Sequence, residues 1–117
     1  MKHRIFLNKF IKLNDYFFIR VKTSNGYKFI KKRNAKRFPD KNLDLFISSR
    51  KLKNNLELFY VCEAVTGLRI TKYSRDKKSV ILQAKKVLKQ RSLSNIVLFI
   101  DKHKCSPRYT KIIKTRN

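Results

Sequence analysis

The stretch YFFIRVKTSNGYKFIKKRNAKR, residues 16–37, is the clearest structural signal in the chain. Residues 16–21 are apolar and strand-like, Asn25-Gly26 is a dipeptide that tolerates the positive φ of a tight turn, and residues 27–30 are apolar again. This predicts a β-hairpin over 16–22 and 27–31. The second strand runs straight into a basic connector, residues 31–37, carrying Lys31, Lys32, Arg33, Lys36 and Arg37, with Lys28 just upstream. Such a run repels itself. Its place beside the best hairpin therefore needs an explanation.

Working outward, Pro39-Asp40 has the form of a helix start. Leu43, Phe46, Ile47 and Leu52 recur at near-helical spacing, so a helix is expected to about residue 53, ended by Asn54-Asn55. LELFYVCEAV (56–65) is rich in β-formers and predicts a strand. Thr66-Gly67 turns the chain, and LRITKY (68–73) is expected to pair back. Ser74 or Asp76 is positioned to cap a second helix over 77–91, with Val80, Ala84, Val87 and Leu88 as its apolar stripe. NIVLFID (95–101) reads as a last, fully buried strand. The expected fold is α/β in the α+β sense: one compact domain, order ββαββαβ, with a mixed sheet and two helices. Residues 1–15 are read as a basic N-terminal arm, 16–101 as the body and 102–117 as a basic tail.

Charge narrows the function. The chain of 117 residues has 31 Lys and Arg against 7 Asp and Glu, a net charge of +24, while 42% of it is hydrophobic. That apolar content supports a core, yet the charge opposes compaction unless a polyanion neutralises it. Nucleic acid is the usual polyanion and an anionic membrane the second. No run approaches the roughly 20 apolar residues of a membrane-spanning helix, and no membrane partner is expected. The first fourteen residues are basic and too interrupted for a secretory core. They share the charge of a mitochondrial transit segment but lack Ser and lead smoothly into a strand, so an ordered arm is expected. Cys62 and Cys105 read as free thiols. Abundant Lys, Asn, Ile and Phe, all with A/T-rich codons, point to an A/T-rich genome: an organelle, a parasite, or a low-GC bacterium or its phage.

Catalytic readings find little support. Asp40, Glu57 and Glu63 stand in a nuclease-like order, but the acid-x-Lys element is missing, because Leu58-Phe59 and Ala64-Val65 follow the two glutamates. Asp40 and Asp44 suit the first turn of a helix. Cys62, His103 and Cys105 could supply zinc ligands, but His103-x-Cys105 is too tight for a standard finger and Cys62 sits mid-strand. Two glycines cannot build a phosphate-cradling loop. No enzyme activity, metal, cofactor or small-molecule substrate is expected. Base stacking is more plausible: Tyr16, Tyr27, Tyr73 and Tyr109 each lie next to basic residues, as aromatic platforms for unpaired RNA bases do. Tyr109 is read as an RNA contact. Phe17, Phe18, Phe29, Phe46, Phe59 and Phe99 are read as core. On the hairpin, Arg20, Lys22 and Lys28 mark a polar face.

Two resemblances bear on partners. DKKSVILQAKKVL (76–88) resembles the last helix of the double-stranded RNA-binding domain family, which implies Lys77 and Lys78 aimed at phosphates; Lys85 and Lys86 continue that helix. The chain also resembles ribosomal proteins as a class: small, very basic, with basic extensions. Within that class it is similar to the small-subunit platform protein number eleven family. NNLELFYV (54–61) looks like that family's central strand, VLKQRSLSNIVLFID (87–101) like its last helix and strand, and DKHKCSPRYTK (101–111) echoes its tail. The family's glycine-rich loops are missing, the His-to-Cys spacing differs, and residues 68–73 are extra. The resemblance implies rRNA backbone contacts by Arg108, Lys111, Lys114 and Arg116. The expected function is a structural constituent of an organellar, mitochondrial-type ribosome, or of a low-GC bacterial one, with rRNA and neighbouring ribosomal proteins as partners. The rival is a DNA-binding accessory protein of a phage or mobile element, which would place its hairpin or second helix in the major groove.

Overall fold

In the computed structural model, which describes residues 9–40 and 42–112, the hairpin forms as β2 (Phe17–Thr23) and β3 (Gly26–Lys32), paired from Phe17↔Lys32 to Thr23↔Gly26. The loop itself is Ser24-Asn25, one residue earlier than the sequence signal. Gly26 ends the turn at φ 141°, a value open to glycine, while Asn25 keeps a negative φ.

The order around this hairpin is β1 (Phe10–Lys12), β2, β3, β4 (Lys36–Phe38), β5 (Leu45–Lys51), β6 (Glu57–Glu63), α1 (Lys77–Gln90), α2 (Leu93–Asp101) and β7 (Tyr109–Lys111). Among the described residues the class is α+β with two helices. The strands make three small antiparallel sheets, β1-β7, β2-β3 and β4-β5-β6, rather than one mixed sheet.

Two elements differ in type from the sequence reading. Residues expected to be helical up to about 53 form β5, the central strand of the three-stranded sheet. Asp40 does act like a cap, since its Oδ1 accepts the amides of Asn42 (2.8 Å) and Leu43 (2.9 Å), but the chain then extends. Leu45 through Ser49 are buried on both faces, with β4 and β6 hydrogen-bonded on either side. Leu43, Phe46 and Ile47 fit a helical stripe and a doubly buried strand equally well, and pairing with the β-rich 57–63 segment decides between them. Asn54-Asn55 becomes the β5–β6 turn, with Asn55 at φ 63°. Conversely, 95–101 is helical within α2. Ser92 caps it by accepting the Asn95 amide at 3.2 Å, and Ile96, Val97 and Ile100 turn to the core. A short continuous apolar run carries no period of its own, so the cap settles its conformation. The similarity of 87–101 to a helix followed by a strand therefore ends at the helix.

The sheet β4-β5-β6 is the middle layer. One face presents Leu45, Ile47 and Val61 to Val80 and Ala84 of α1 and Ile100 of α2. The opposite face presents Phe46, Tyr60 and Cys62 to Phe17 and Ile19 of the hairpin, with the Phe17 and Phe46 rings stacked at 4.7 Å. This two-faced burial follows from the period of two along β5 and β6. Residues 68–74 lie along β6 through isolated bridges, Cys62↔Arg69 and Phe59↔Ser74, rather than as a continuous strand. Gly67 turns the chain there at φ 75°. A Cβ on it would sit 2.8 Å from the backbone oxygen of Phe18, so the turn is pressed against β2.

The arm and tail join each other. β1 pairs with β7, Leu13 donates to the Arg108 carbonyl at 2.7 Å, and Phe10 and Tyr109 enter the larger core. Their described parts thus belong to the body.

Candidate nucleic-acid interface

The connector 31–37 runs from the end of the hairpin to the edge of the central sheet, and its cations are distributed along that path. Lys31 places its ammonium 3.5 Å from the centroid of the Tyr16 ring, and Arg33 lines the same shallow recess. Lys32 bends inward and donates to the Ser49 carbonyl at 3.2 Å. Asn34 locks the turn: its amide reaches the Ser49 Oγ (3.1 Å) and its oxygen accepts from Ser48 Oγ (2.9 Å). Ser49 in turn donates to Glu57 at 2.6 Å. This clamp fixes how the chain enters β4, and so where Lys36 and Arg37 project.

At β4 the chain meets α1. The helix begins at Lys77 because Asp76 caps it, accepting the Lys78 amide at 3.0 Å. Its apolar stripe, Val80 and Ala84, faces the sheet. Lys77, Ile81 and Lys85 then fall four residues apart on the flank next to β4. The result is a recess of about 370 Å³ between β4 and α1. Its floor is Phe38, Pro39, Ile47 and Ile81, and its rim is Lys36, Arg37, Lys77 and Lys85. A second cavity of about 180 Å³ shares Lys36, Ile47 and Lys77 with it and reaches Asn34, Ser49 and Glu57. Among the described residues, Glu57 is the one carboxylate lining this pair of cavities.

Lys36, Arg37, Lys77 and Lys85 are therefore brought together, and Lys31 and Arg33 gather at Tyr16. Lys28, Lys78 and Lys86 are exposed but line neither recess. Lys111 turns back to Asp101, donating to its carbonyl at 3.3 Å. Lys114 and Arg116 lie outside the described residues.

Arg108 and Tyr109 take a different place from the one expected. Arg108 donates from Nε to Asp44 Oδ2 at 2.8 Å, and the Tyr109 hydroxyl donates to the same oxygen at 2.6 Å. All three side chains are buried. Burial, reinforced by the neighbouring Asp44 carboxylate, pushes the Tyr109 hydroxyl well above its ordinary range. Both residues tie the tail to the body instead of facing a partner, because Asp44, carried inward on the approach to β5, needs a cation. Nothing local to the tail sequence announces that partner, 64 positions away.

The three tyrosines outside the core each carry a cation on the ring. Besides Lys31 on Tyr16, Arg20 lies 3.6 Å from the Tyr27 centroid and Arg69 4.0 Å from that of Tyr73, with Arg50 at 5.6 Å. More than a third of each tyrosine is exposed. Nothing in the sequence marks Arg50 and Arg69, because their shared target Tyr73 is brought beside both only when 68–74 folds along β6.

The acids that stand in nuclease-like order have structural tasks. Glu63 is fully buried and accepts from the amides of Val65 and Thr66 and from the Thr66 hydroxyl (2.6 Å), closing the turn after β6. Burial pushes its carboxyl up to about 7. Burial likewise raises the Cys62 thiol, and His103 bonds the Phe99 carbonyl at 2.7 Å. Among the described residues no three His, Cys, Asp or Glu side chains converge as metal ligands, and no helix is long and apolar enough to cross a membrane. Comparison with protein families, curated proteins and solved structures found no match to this chain.

Proposed function

We propose that this chain is a structural RNA-binding protein, a constituent of an organellar-type ribosome that docks on rRNA through the β4–α1 recess and the connector leading to it. The observation that carries the reading is the convergence of Lys36, Arg37, Lys77 and Lys85, from two segments some forty positions apart, on one surface. Together with a net charge of +24, this gives a rigid cationic face rather than scattered solvated charge. Neutralising phosphates there releases counterions, which drives binding without a catalytic step. Contacts to phosphate and sugar fix register and orientation, so RNA shape is what such a face reads. Arg108 and Tyr109 contribute by holding the fold, not by touching RNA.

Sedimentation of native lysate through a sucrose gradient, with this protein tracked and its crosslinked nucleic acid sequenced, tests the proposal. Co-sedimentation with one ribosomal subunit and crosslinks to a single rRNA region are the expected result. Migration at the top of the gradient with crosslinked DNA, or with none, overturns it and favours a mobile-element DNA-binding protein.

A further inference from the structure

Resting on the RNA-binding reading above, we propose that the recess between β4 and α1 holds an unpaired base of single-stranded RNA, with the flanking phosphates on Lys36, Arg37, Lys77 and Lys85. The argument is chemical complementarity. A duplex backbone offers phosphates and sugars but nothing flat and apolar to fill a depression floored by Phe38, Ile47 and Ile81. An unpaired base supplies such a body, and its own chain supplies anions on either side. The volume of about 370 Å³ falls in the range of small-ligand cavities, about 300–1,000 Å³. All four rim cations are exposed and none appears in an ion pair within the described chain, so they are available to phosphates.

A second feature extends the track. Lys32 lies in the wall of the Tyr16 recess and its ammonium reaches the carbonyl of Ser49, which lines the cavity that shares Lys36, Ile47 and Lys77 with the β4–α1 recess. Tyr16, with Lys31 over its ring, thus stands at the other end of the same connector. A strand leaving the base pocket along 31–37 meets a stacking platform there. A neighbouring base can take the ring face while Lys31 swings to the adjoining phosphate.

The test uses the full chain and three probes of one sequence: a single-stranded RNA about a dozen nucleotides long with one 2-aminopurine, its duplex, and the equivalent single-stranded DNA. Affinity is followed by anisotropy and base environment by 2-aminopurine fluorescence. Expected are at least tenfold tighter binding of single-stranded RNA than of duplex, a fluorescence change on binding, and a salt slope of about −3.5 for five phosphate contacts, four at the rim and one at Lys31. Ile81→Trp, which fills the recess, should weaken single-strand binding about tenfold and abolish the fluorescence change with the slope unaltered. The exposed Leu82→Trp on the same helix should do neither. Lys77→Ala with Lys85→Ala, both at exposed positions, should reduce the slope by about 1.4 and so keeps the idea testable if Ile81→Trp folds poorly.

Equal affinity for duplex and single strand, with no fluorescence change, overturns the base pocket while leaving RNA binding standing. Tighter binding of the DNA strand overturns RNA as the source. No binding to any probe overturns both this inference and the reading it rests on.

Discussion

Arg108→Ala separates two roles for the C-terminal segment. Asp44 is 4% exposed, and its Oδ2 takes hydrogen bonds from Arg108 Nε (2.8 Å) and Tyr109 (2.6 Å), while its Oδ1 has no hydrogen-bond partner among the described residues. The guanidinium also donates to the Tyr16 carbonyl at 3.1 Å and lies 4.1 Å from the Phe17 ring centroid, linking the tail to the start of the hairpin. Truncating Arg108 leaves a buried carboxylate without its cation, a loss of about 3–5 kcal/mol. With a urea dependence of about 2 kcal/mol per molar, a loss of about 4 kcal/mol moves the unfolding midpoint by about 2 M. Far-UV circular dichroism in a urea series gives the midpoint. The double variant Asp44→Leu/Arg108→Leu should lose less than the sum of the two single changes, because it leaves no orphaned charge. A midpoint shift worth less than about 1 kcal/mol, accompanied by weaker RNA binding, would refute the reasoning and return Arg108 to the interface.

Three further outcomes follow from the turns and caps. The Glu63 carboxyl, held at about 7 against an ordinary 4.5, favours its protonated form in the fold. Its contribution is therefore complete below about pH 4.5 and is lost as pH rises through 7, a swing of about 3 kcal/mol. Wild type should lose that much relative to Glu63→Gln in urea titrations between pH 4.5 and 7.5, and a constant difference would contradict it. Gly67→Ala meets both a positive φ and the Phe18 oxygen at 2.8 Å. It should cost more than the ~1–2 kcal/mol of the backbone conformation alone, visible as a lowered Tm; an unchanged Tm would contradict the tight approach to β2. Ser92→Ala removes the side-chain cap of α2 and should cost about 1 kcal/mol. Exchange of the Asn95 amide should accelerate, which a conformation without the Ser92 cap would not show.

The legible parts of the sequence were those in which local pattern and final packing agree. The hairpin, β6 and α1 each carry a turn, a β-rich run or a cap whose meaning does not depend on distant residues. β5 and α2 carried apolar runs that fit either state. A neighbouring strand decided the first and Ser92 the second. The same division applies to the site. That Lys36, Arg37, Lys77 and Lys85 are basic was plain, but their common recess exists only because 45–51 is a strand. A helix there would have removed the partner onto which β4 pairs.

That dependence accounts for the charge run beside the hairpin. The connector has to cross from the two-stranded ribbon to the rim of the central sheet, and β4 is an edge strand of three residues. An edge presents unpaired backbone groups that invite a further strand, and charged side chains discourage one. Lys36 and Arg37 thus protect the edge against association with another chain while directing positive charge into the gap beside α1. The repulsion among them is tolerable because the residues diverge: Lys31 lies over Tyr16, Lys32 is bonded to Ser49, and Lys36 and Arg37 reach the recess. A phosphate chain threading that gap would neutralise what the fold leaves uncompensated. On this view edge protection and RNA binding are one arrangement, so charge reversal at Lys36 and Arg37 should weaken RNA binding without increasing self-association, whereas replacing both with Val should leave the edge open to self-association.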